Sequence, residues 1–536
     1  MRAFAALGQT PRGDGARAEP VSERAGSWTA TEASAKSLAM RRRGPGLLLL
    51  AWLLAVVFSA GREATAADAT EEGSLGAWKD RIKLAFSTRV RGEFVDFFRP
   101  PSASPGAENR YDFLGTQTRF GTEIQLPHAR LVLAVQETLL ANVPTDAIAP
   151  SPIGALGTGA VYFQNTSKSF QQEPFLKLGF LELRHRGLTA QLGRFEIRDG
   201  LETIPTNPSL LFLKRERISE RLVGPFDFTH VTRSFDGGLF VWDRPAWNVT
   251  AYGTKPTQGG FEISANPEID DIVLAGASVT AKRLPEQPFP FDGRVFYLYY
   301  DDARENVVKV DNRPLPERQA DTKAIRLHTI GAHAIALGRA GPGEADLLLW
   351  GLVQTGRWGE LDQTSWAFAV EAGYQMASLP TSPWLRVGFD RSSGDPDPSD
   401  GTHETFFQIL PTARRYARFP FFNLMNDQDL FAQILLAPHP LVLIQAEYHW
   451  LSLTESGDLW YSGGGATNGT LFGYSGIPSG GHRELAHLID LSASWRILPE
   501  LSVNAYISHA FGQSVVGSTF AGHGATYGFI ETFVSF

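Results

Sequence analysis

From Ile82 onward the chain alternates apolar and polar residues with a period of two, in segments separated by turn residues. In IKLAFSTRVRGEFVDF, Ile82, Leu84, Phe86, Thr88 and Val90 share one face, while Lys83, Ser87, Arg89, Arg91 and Glu93 share the other. Such alternation predicts a strand with two unlike faces. A soluble strand averages about 5–6 residues. This one has the length of a tilted membrane strand, which needs about 9–11 residues to cross a bilayer. Similar segments fall near 110–125, 129–140, 174–185, 188–197, 231–242, 246–253, 271–282 and 291–302. Others fall near 324–337, 344–356, 365–377, 384–391, 429–438, 441–452, 484–497, 500–510 and 523–536, which makes about eighteen strands.

The connections sharpen this picture. Tight links at Leu126-Pro127-His128, Arg186-Gly187, Asp243-Arg244-Pro245, Pro438-His439-Pro440 and Leu498-Pro499 alternate with long ones, notably Ala141 to Glu173, Arg391 to Gln428 and Ser452 to Arg483. The pattern predicts an all-β transmembrane, antiparallel, up-and-down barrel with short periplasmic turns and long extracellular loops. A β-sandwich or propeller has no reason to place long loops at every second connection. The last strand ends in Phe536 and resembles the recognition signal that barrel assembly machinery reads. Aromatic residues near strand ends, namely Trp247, Tyr297, Tyr299, Trp366, Trp384, Tyr448, Trp450, Trp495, Tyr506 and Tyr527, are expected to form interfacial girdles facing lipid and lipopolysaccharide.

Ahead of the barrel, Arg41 to Arg43 precede an apolar run from Leu47 to Phe58 and small residues at Ala64-Thr65-Ala66-Ala67. This reads as a signal peptide over residues 40–67, with an uncleaved anchor as the alternative. Residues 1–39 then read as an upstream extension, 68–81 as a periplasmic lead-in and 82–536 as the barrel. The absence of cysteine excludes disulfides and thiol chemistry. A net charge of −8 argues against nucleic acid as a partner.

The stretch between Leu188 and Leu239 is crowded with arginine and falls in the third long loop. Leu192-Gly193-Arg194, the later Arg233-Ser234-Phe235-Asp236-Gly237, and SSGDPDPSDGTHETFFQILP from Ser392 to Pro411 resemble the alginate export porin family. The resemblance runs over most of 82–536. It implies a monomeric barrel of about eighteen strands in a Gram-negative outer membrane, passing an anionic polysaccharide through an arginine-lined constriction. It implies no cofactor, and it leaves room for periplasmic export components as partners.

A polyuronate carries one carboxylate per sugar, so its pore needs fixed positive charge that replaces water without trapping the polymer. Arginine pairs carboxylates bidentately and stays charged, and only ten of the 49 basic residues are lysine. A lipid-facing arginine at mid-bilayer costs about 2–4 kcal/mol, so strand arginines are expected to face the lumen. Arg89, Arg91, Arg119, Arg184 and Arg386 are candidates on this ground, with Arg194, Arg233 and Asp236 from the motif region. Glu182, on the same face as Arg184, Glu123 and Asp236 could hold arginines in place or narrow the selectivity by repelling anions. The alternation leaves the face of Arg194 open. Each of these arginines could equally serve as a salt bridge bracing the wall. The apolar residues of Ile218 to Val223 suggest that the loop tucks into the barrel mouth, where Arg215, Arg217 and Arg221 could reach the lumen.

Asp395, Asp397 and Asp400 form a calcium-like cluster, but Ser399 and Asp400 occupy places where an EF-hand needs an acid and a glycine, so a solvated loop is the competing reading. A general or phosphate-type porin is the nearest functional alternative. An adhesin using the long loops is another. A barrel enzyme would need a lipid-facing Ser–His pair, for which His449 and Ser452 are the best offered.

Overall fold

The computed structural model describes residues 81–101, 106–282, 289–412 and 418–536. The leader lies outside the described residues. Eighteen antiparallel strands form one closed sheet. They are β1 (Ile82–Asp96), β2 (Arg110–Gln125), β3 (Ala129–Ala141), β4 (Gln171–His185), β5 (Leu188–Phe195), β6 (Phe235–Asp243), β7 (Trp247–Pro256), β8 (Ile272–Ala281) and β9 (Phe291–Asp302). They continue as β10 (Ile325–Ala340), β11 (Gly343–Trp358), β12 (Leu361–Gln375), β13 (Trp384–Ser392), β14 (Asp427–His439), β15 (Val442–Leu453), β16 (Glu484–Leu498), β17 (Leu501–Gly512) and β18 (Gly524–Ser535). Each strand pairs with its sequence neighbour, and β1 pairs with β18 to close the sheet. No helix of the described residues is long and apolar enough to cross a membrane.

The closing seam is built from both backbone and charge. Arg91 lies directly opposite Glu531, and its Nε is 3.0 Å from that carboxylate. Tyr527 Oη donates to Glu93 at 2.6 Å across the same seam. The C-terminal Phe536 exchanges backbone hydrogen bonds with Phe86. The edges that an open sheet would expose are thereby paired, as they must be in lipid.

Alternation sorts the side chains as the period of two requires. On β13, Leu385 and Val387 are exposed, whereas Trp384 and Arg386 are buried. Tyr297, Trp366, Tyr448, Trp450 and Trp495 are exposed in the manner of girdle residues. Trp384, Tyr506 and Tyr527 correct that expectation: all three are buried on inward-pointing positions. The Trp384 indole donates to Asp346 at 2.8 Å and packs on Phe212.

The loops alternate in length as expected, with one exception. The connection from β11 to β12 lies on the long-loop side, yet it is a two-residue turn with Gly359 at φ 62°. Asp321 of the preceding loop covers it and accepts from Glu360 N at 3.2 Å.

The third loop (196–234) folds into the barrel. Asn207 caps a short helix, Pro208–Leu213, by accepting from Leu210 N at 2.9 Å, with Pro208 at the position that tolerates it. The helix continues as a π-turn, Lys214–Ile218, and breaks where Ser219 becomes extended. Leu210, Leu213, Ile218, Leu222 and Val223 are all buried in the main apolar cluster. Val223 forms a parallel bridge with Leu410 of the seventh loop (393–426). Gly224 N donates to Leu410 O, and Leu410 N to Leu222 O, at 2.9 and 2.8 Å. Two loops far apart in sequence thus share a partition inside the barrel.

Candidate pore constriction

Loop 3 is held by ion pairs on two sides. On one side Arg217 and Arg221, four residues apart, both donate to Glu371 of β12. Arg386 of β13 donates to the same carboxylate at 2.8 Å and pairs with Asp346. All four of these side chains on Glu371 and its partners are buried. Nearby, Lys214 Nζ pairs with Asp292 of β9 at 2.7 Å. On the other side the loop's tail runs along β1. Arg89 donates to the carbonyls of Asp227 and Thr229 at 2.7 and 2.5 Å, and Arg91 to that of Phe228 at 2.5 Å. His230 meets Glu93 at 2.8 Å. Burial, with the positive charge of Arg91 and Arg89, outweighs that hydrogen bond and pushes the His230 imidazole down to about 4.

Between these anchors, charged side chains keep contact with water inside the wall. Arg119 Nε donates to Gln136 at 2.8 Å, and its guanidinium faces Glu196 at 3.6 Å. Glu196 also meets Lys177 at 3.1 Å and Arg198 at 3.0 Å. Burial alone would raise the Glu196 carboxyl, but Lys177, Arg198 and Arg119 hold it well below the usual range. Arg198 bridges further to Glu220 at 2.6 Å and Asp227 at 2.8 Å. The side chains of Arg119, Arg198 and Asp227 retain 27, 32 and 31% of their exposure. Arg130 pairs with Glu182 at 2.8 Å and Glu123 at 3.4 Å, closer to the periplasmic turn. Within this linked set of described residues the water-touching members are Arg89, Arg119, Arg130 and Arg198 against Glu123, Glu196, Asp227 and Glu531. This is a ladder of alternating charge across the lumen and not a purely positive ring.

The candidates read from sequence are scattered by the fold. Arg89 and Arg119 join this ladder. Arg91 and Arg386 face inward but are sealed in protein. Glu182 orients Arg130 and Gln191, and Arg184 pairs with Glu182 at the exposed periplasmic end. Arg233 is not on a strand: β6 begins only at Phe235. Its guanidinium lies buried over the Phe226 ring and donates to Gly464 O and Ala466 O, at 2.7 and 3.2 Å, tying loop 3 to loop 8 (454–483).

Arg194 and Asp236 correct the expectation most sharply. They pair with each other at 2.7 and 2.5 Å. Both stand on the outward parity, in step with Leu192 (62% exposed) and Phe240 (43% exposed). Lys255 of β7, next in the same row, approaches Glu268 and Asp270. Asn266 of the fourth loop (257–271) reaches over the rim to Arg194 and Leu176 N. The pair braces the outer rim from outside. Its cost is offset because it is paired and lies at the strand ends, not at mid-bilayer.

The aspartates of loop 7 serve their own turns. Asp395 accepts from Asp397 N, Asp397 from Ser399 N and Asp400 from Thr402 N, at 3.1, 3.0 and 2.8 Å. No group of three acidic or histidine side chains among the described residues could hold a metal ion. The calcium reading is not supported. His449 points inward and pairs with Asp429 at 2.8 Å, whereas Ser452 lies on the opposite parity, so the two form no lipid-facing dyad.

Sequence reasoning missed Arg130, Arg198, Glu196, Asp227 and Glu531. Gln136 and Thr138 share the parity of Arg130 and could have signalled it. Arg198 and Asp227 carried no signal beyond their loop's composition, because their placement depends on how the loop folds back.

A family model described as "Alginate export" matches residues 172–517. Among curated proteins none matches the chain. Among solved structures, OccAB2 of Acinetobacter baumannii aligns at 8% identity and a TM-score of 0.55, covering 87% of this chain and 99% of that one. OccK9 (OpdG) of Pseudomonas aeruginosa aligns at 8% identity and a TM-score of 0.53, covering 85% and 99%. At these identities the likeness concerns the fold. Together with the closed eighteen-stranded sheet, the matches identify an integral porin-type β-barrel of the Gram-negative outer membrane.

Proposed function

This chain belongs to the alginate export family, and from that premise we propose that it conducts an anionic saccharide, an alginate-like polyuronate or a shorter acidic sugar, along the Arg89–Arg119–Arg198–Arg130 ladder. The observation that carries the reading is that Arg119 and Arg198 keep part of their guanidinium in water while carboxylates hold them in place. A passing carboxylate can exchange with those fixed acids, arginine by arginine. Binding then stays weak enough at each site for release. Fully neutralised arginines would not attract the solute, and unpaired ones would hold it. Lipopolysaccharide outside the wall, the assembly machinery at the Phe536 strand and periplasmic export components are the partners this reading entails.

The interleaving of carboxylates with the arginines of this set favours a second reading, a porin for small polar solutes whose lumen field is transverse and sorts by dipole as much as by net charge. Reversal potentials in planar bilayers under a potassium chloride gradient separate the two. Anion preference with block by oligouronate, lost in Arg119→Glu/Arg198→Glu, supports the first. Cation preference without block sinks it, and block by phosphate alone supports the second.

A further inference from the structure

The outer mouth holds a chamber unlike the rest of the lumen. It encloses about 160 Å³. Its walls come from the first, second, third, fourth, seventh and eighth outer loops, and from no barrel strand. Phe226, Phe261, Phe421, Trp460, Phe472 and Tyr474 present aromatic surface to it. Among the described residues that line it none is charged, although the ladder on the barrel wall is crowded with charge. Several aromatic polar groups are already used: the Trp460 indole donates to Phe421 O at 2.8 Å, and Tyr474 Oη to Gln408 O. Gln164, Ser462 and Ser475 also line the chamber. Their side chains have no protein hydrogen-bond partner among the described residues. Ser462 and Ser475 lie opposite each other on the small hairpin Leu459–Gly463/Tyr474–Pro478.

We propose that this chamber is a binding site for one uncharged pyranose ring, entering from outside the cell. The volume points to a single six-membered ring, since a cavity of about 150 Å³ accommodates benzene. The aromatic walls match the apolar C–H faces of a pyranose, and the free hydroxyls and amide at the rim match its equatorial hydroxyls. A carboxylate buried here would touch no charged partner among the described lining residues, and the cation Arg233 lies behind the Phe226 ring. That is unfavourable, so a uronate should bind more weakly than a neutral ring. The site is therefore separate from the arginine ladder. It gives the barrel a contact with neutral sugar, either a non-ionised unit of a polymer or a neutral glycan at the cell surface. It does not depend on the conduction reading, because bilayer selectivity and chamber binding are measured independently.

Saturation-transfer NMR on the full chain, folded in lauryldimethylamine oxide micelles so that no sugar detergent competes, tests this. The probes are uncharged methyl hexopyranosides, glucuronate and phenol. At least one neutral glycoside should bind saturably, and at least tenfold more tightly than glucuronate. Ser475→Trp, at an exposed position where the new ring fills the chamber, should abolish the signal. Gln164→Ala, on an exposed helix surface, should weaken it several-fold. Heat-modifiable gel migration confirms that each variant is a folded barrel. The proposal is overturned if no neutral glycoside binds, if glucuronate binds equally, if phenol alone binds, or if the signal survives in both variants.

Discussion

Arg217 of loop 3 places its Nε 3.0 and 2.9 Å from the two oxygens of Glu371, a fully buried residue of β12 that is 154 positions away in sequence. Arg221 and Arg386 converge on the same carboxylate. One acid is therefore shared by three guanidinium groups in a dry part of the barrel, with Asp346 beside Arg386 and Asp390 beside Arg221 supplying further negative charge. Deleting one partner of such a network leaves buried charge uncompensated, at a cost of about 3–5 kcal/mol. Glu371→Gln should lower the barrel's stability to denaturant by about that amount and free the loop. Single-channel records should then show larger and noisier conductance. An unchanged record would mean that the Val223–Leu410 partition holds the loop unaided.

Selectivity should follow the ladder and not the sequence motif. Arg119→Glu and Arg198→Glu each remove a water-touching cation and add an anion, so anion preference should fall several-fold in reversal-potential measurements. Arg194→Glu should leave selectivity unchanged, because Arg194 stands outside the wall against Asp236. It should instead loosen the outer rim, seen as a lower unfolding temperature. A shift of selectivity in Arg194→Glu would contradict the face assignment.

The junction between loops 7 and 8 should weaken as pH rises. Asp395 N donates to Asp458 at 3.0 Å. Burial, with Asp458, Asp400 and Glu404 nearby, pushes the Asp395 carboxyl up to about 7 from its ordinary 3.8. Burial also pushes Asp458 up to about 6. A raised carboxyl favours the neutral form in the folded state. There is no penalty below about pH 4, a growing one from 4 to 7, and a plateau above. Amide exchange in loop 8, corrected for intrinsic rate, should be faster at pH 8 than at pH 5. Asp395→Asn should flatten the difference.

His230 behaves in the opposite sense. Its imidazole falls from an ordinary 6.5 to about 4 on folding. The stability tied to the neutral ring is complete above 6.5 and is lost as pH falls towards 4. Acidification in that window should loosen the loop 3 tail and raise open-channel noise. His230→Asn should show the noise at neutral pH already; quiet records at pH 4.5 in the parent chain would refute the point.

The eighteen strands, their order and most of their bounds were legible in sequence, because alternation is local and one face of each strand must meet lipid. The leftover errors are also physical. Residues 231–234 alternate like a strand but belong to loop 3, since β6 begins only at Phe235. Nearness to a strand end put Trp384, Tyr506 and Tyr527 among the girdle residues, although Trp384 shares the parity of the lumen-facing Arg386.

The site was far less legible. A bulge at the Ala134/Val135 register shift resets the inward parity of β4, so that Lys177 and Phe180 both point in. A one-residue shift exchanges the two faces of a strand. Arg194 and Asp236, conspicuous as a motif, stand outside, whereas Arg198 and Asp227, anonymous in the sequence, stand in the water. The sequence by itself determined the barrel, because hydrophobic alternation, turns and length are properties of neighbouring residues. Only the tertiary structure decided which arginine meets which carboxylate. Those partners come from loops folded back through a closed wall, and the pairing energy belongs to contacts that no local pattern encodes.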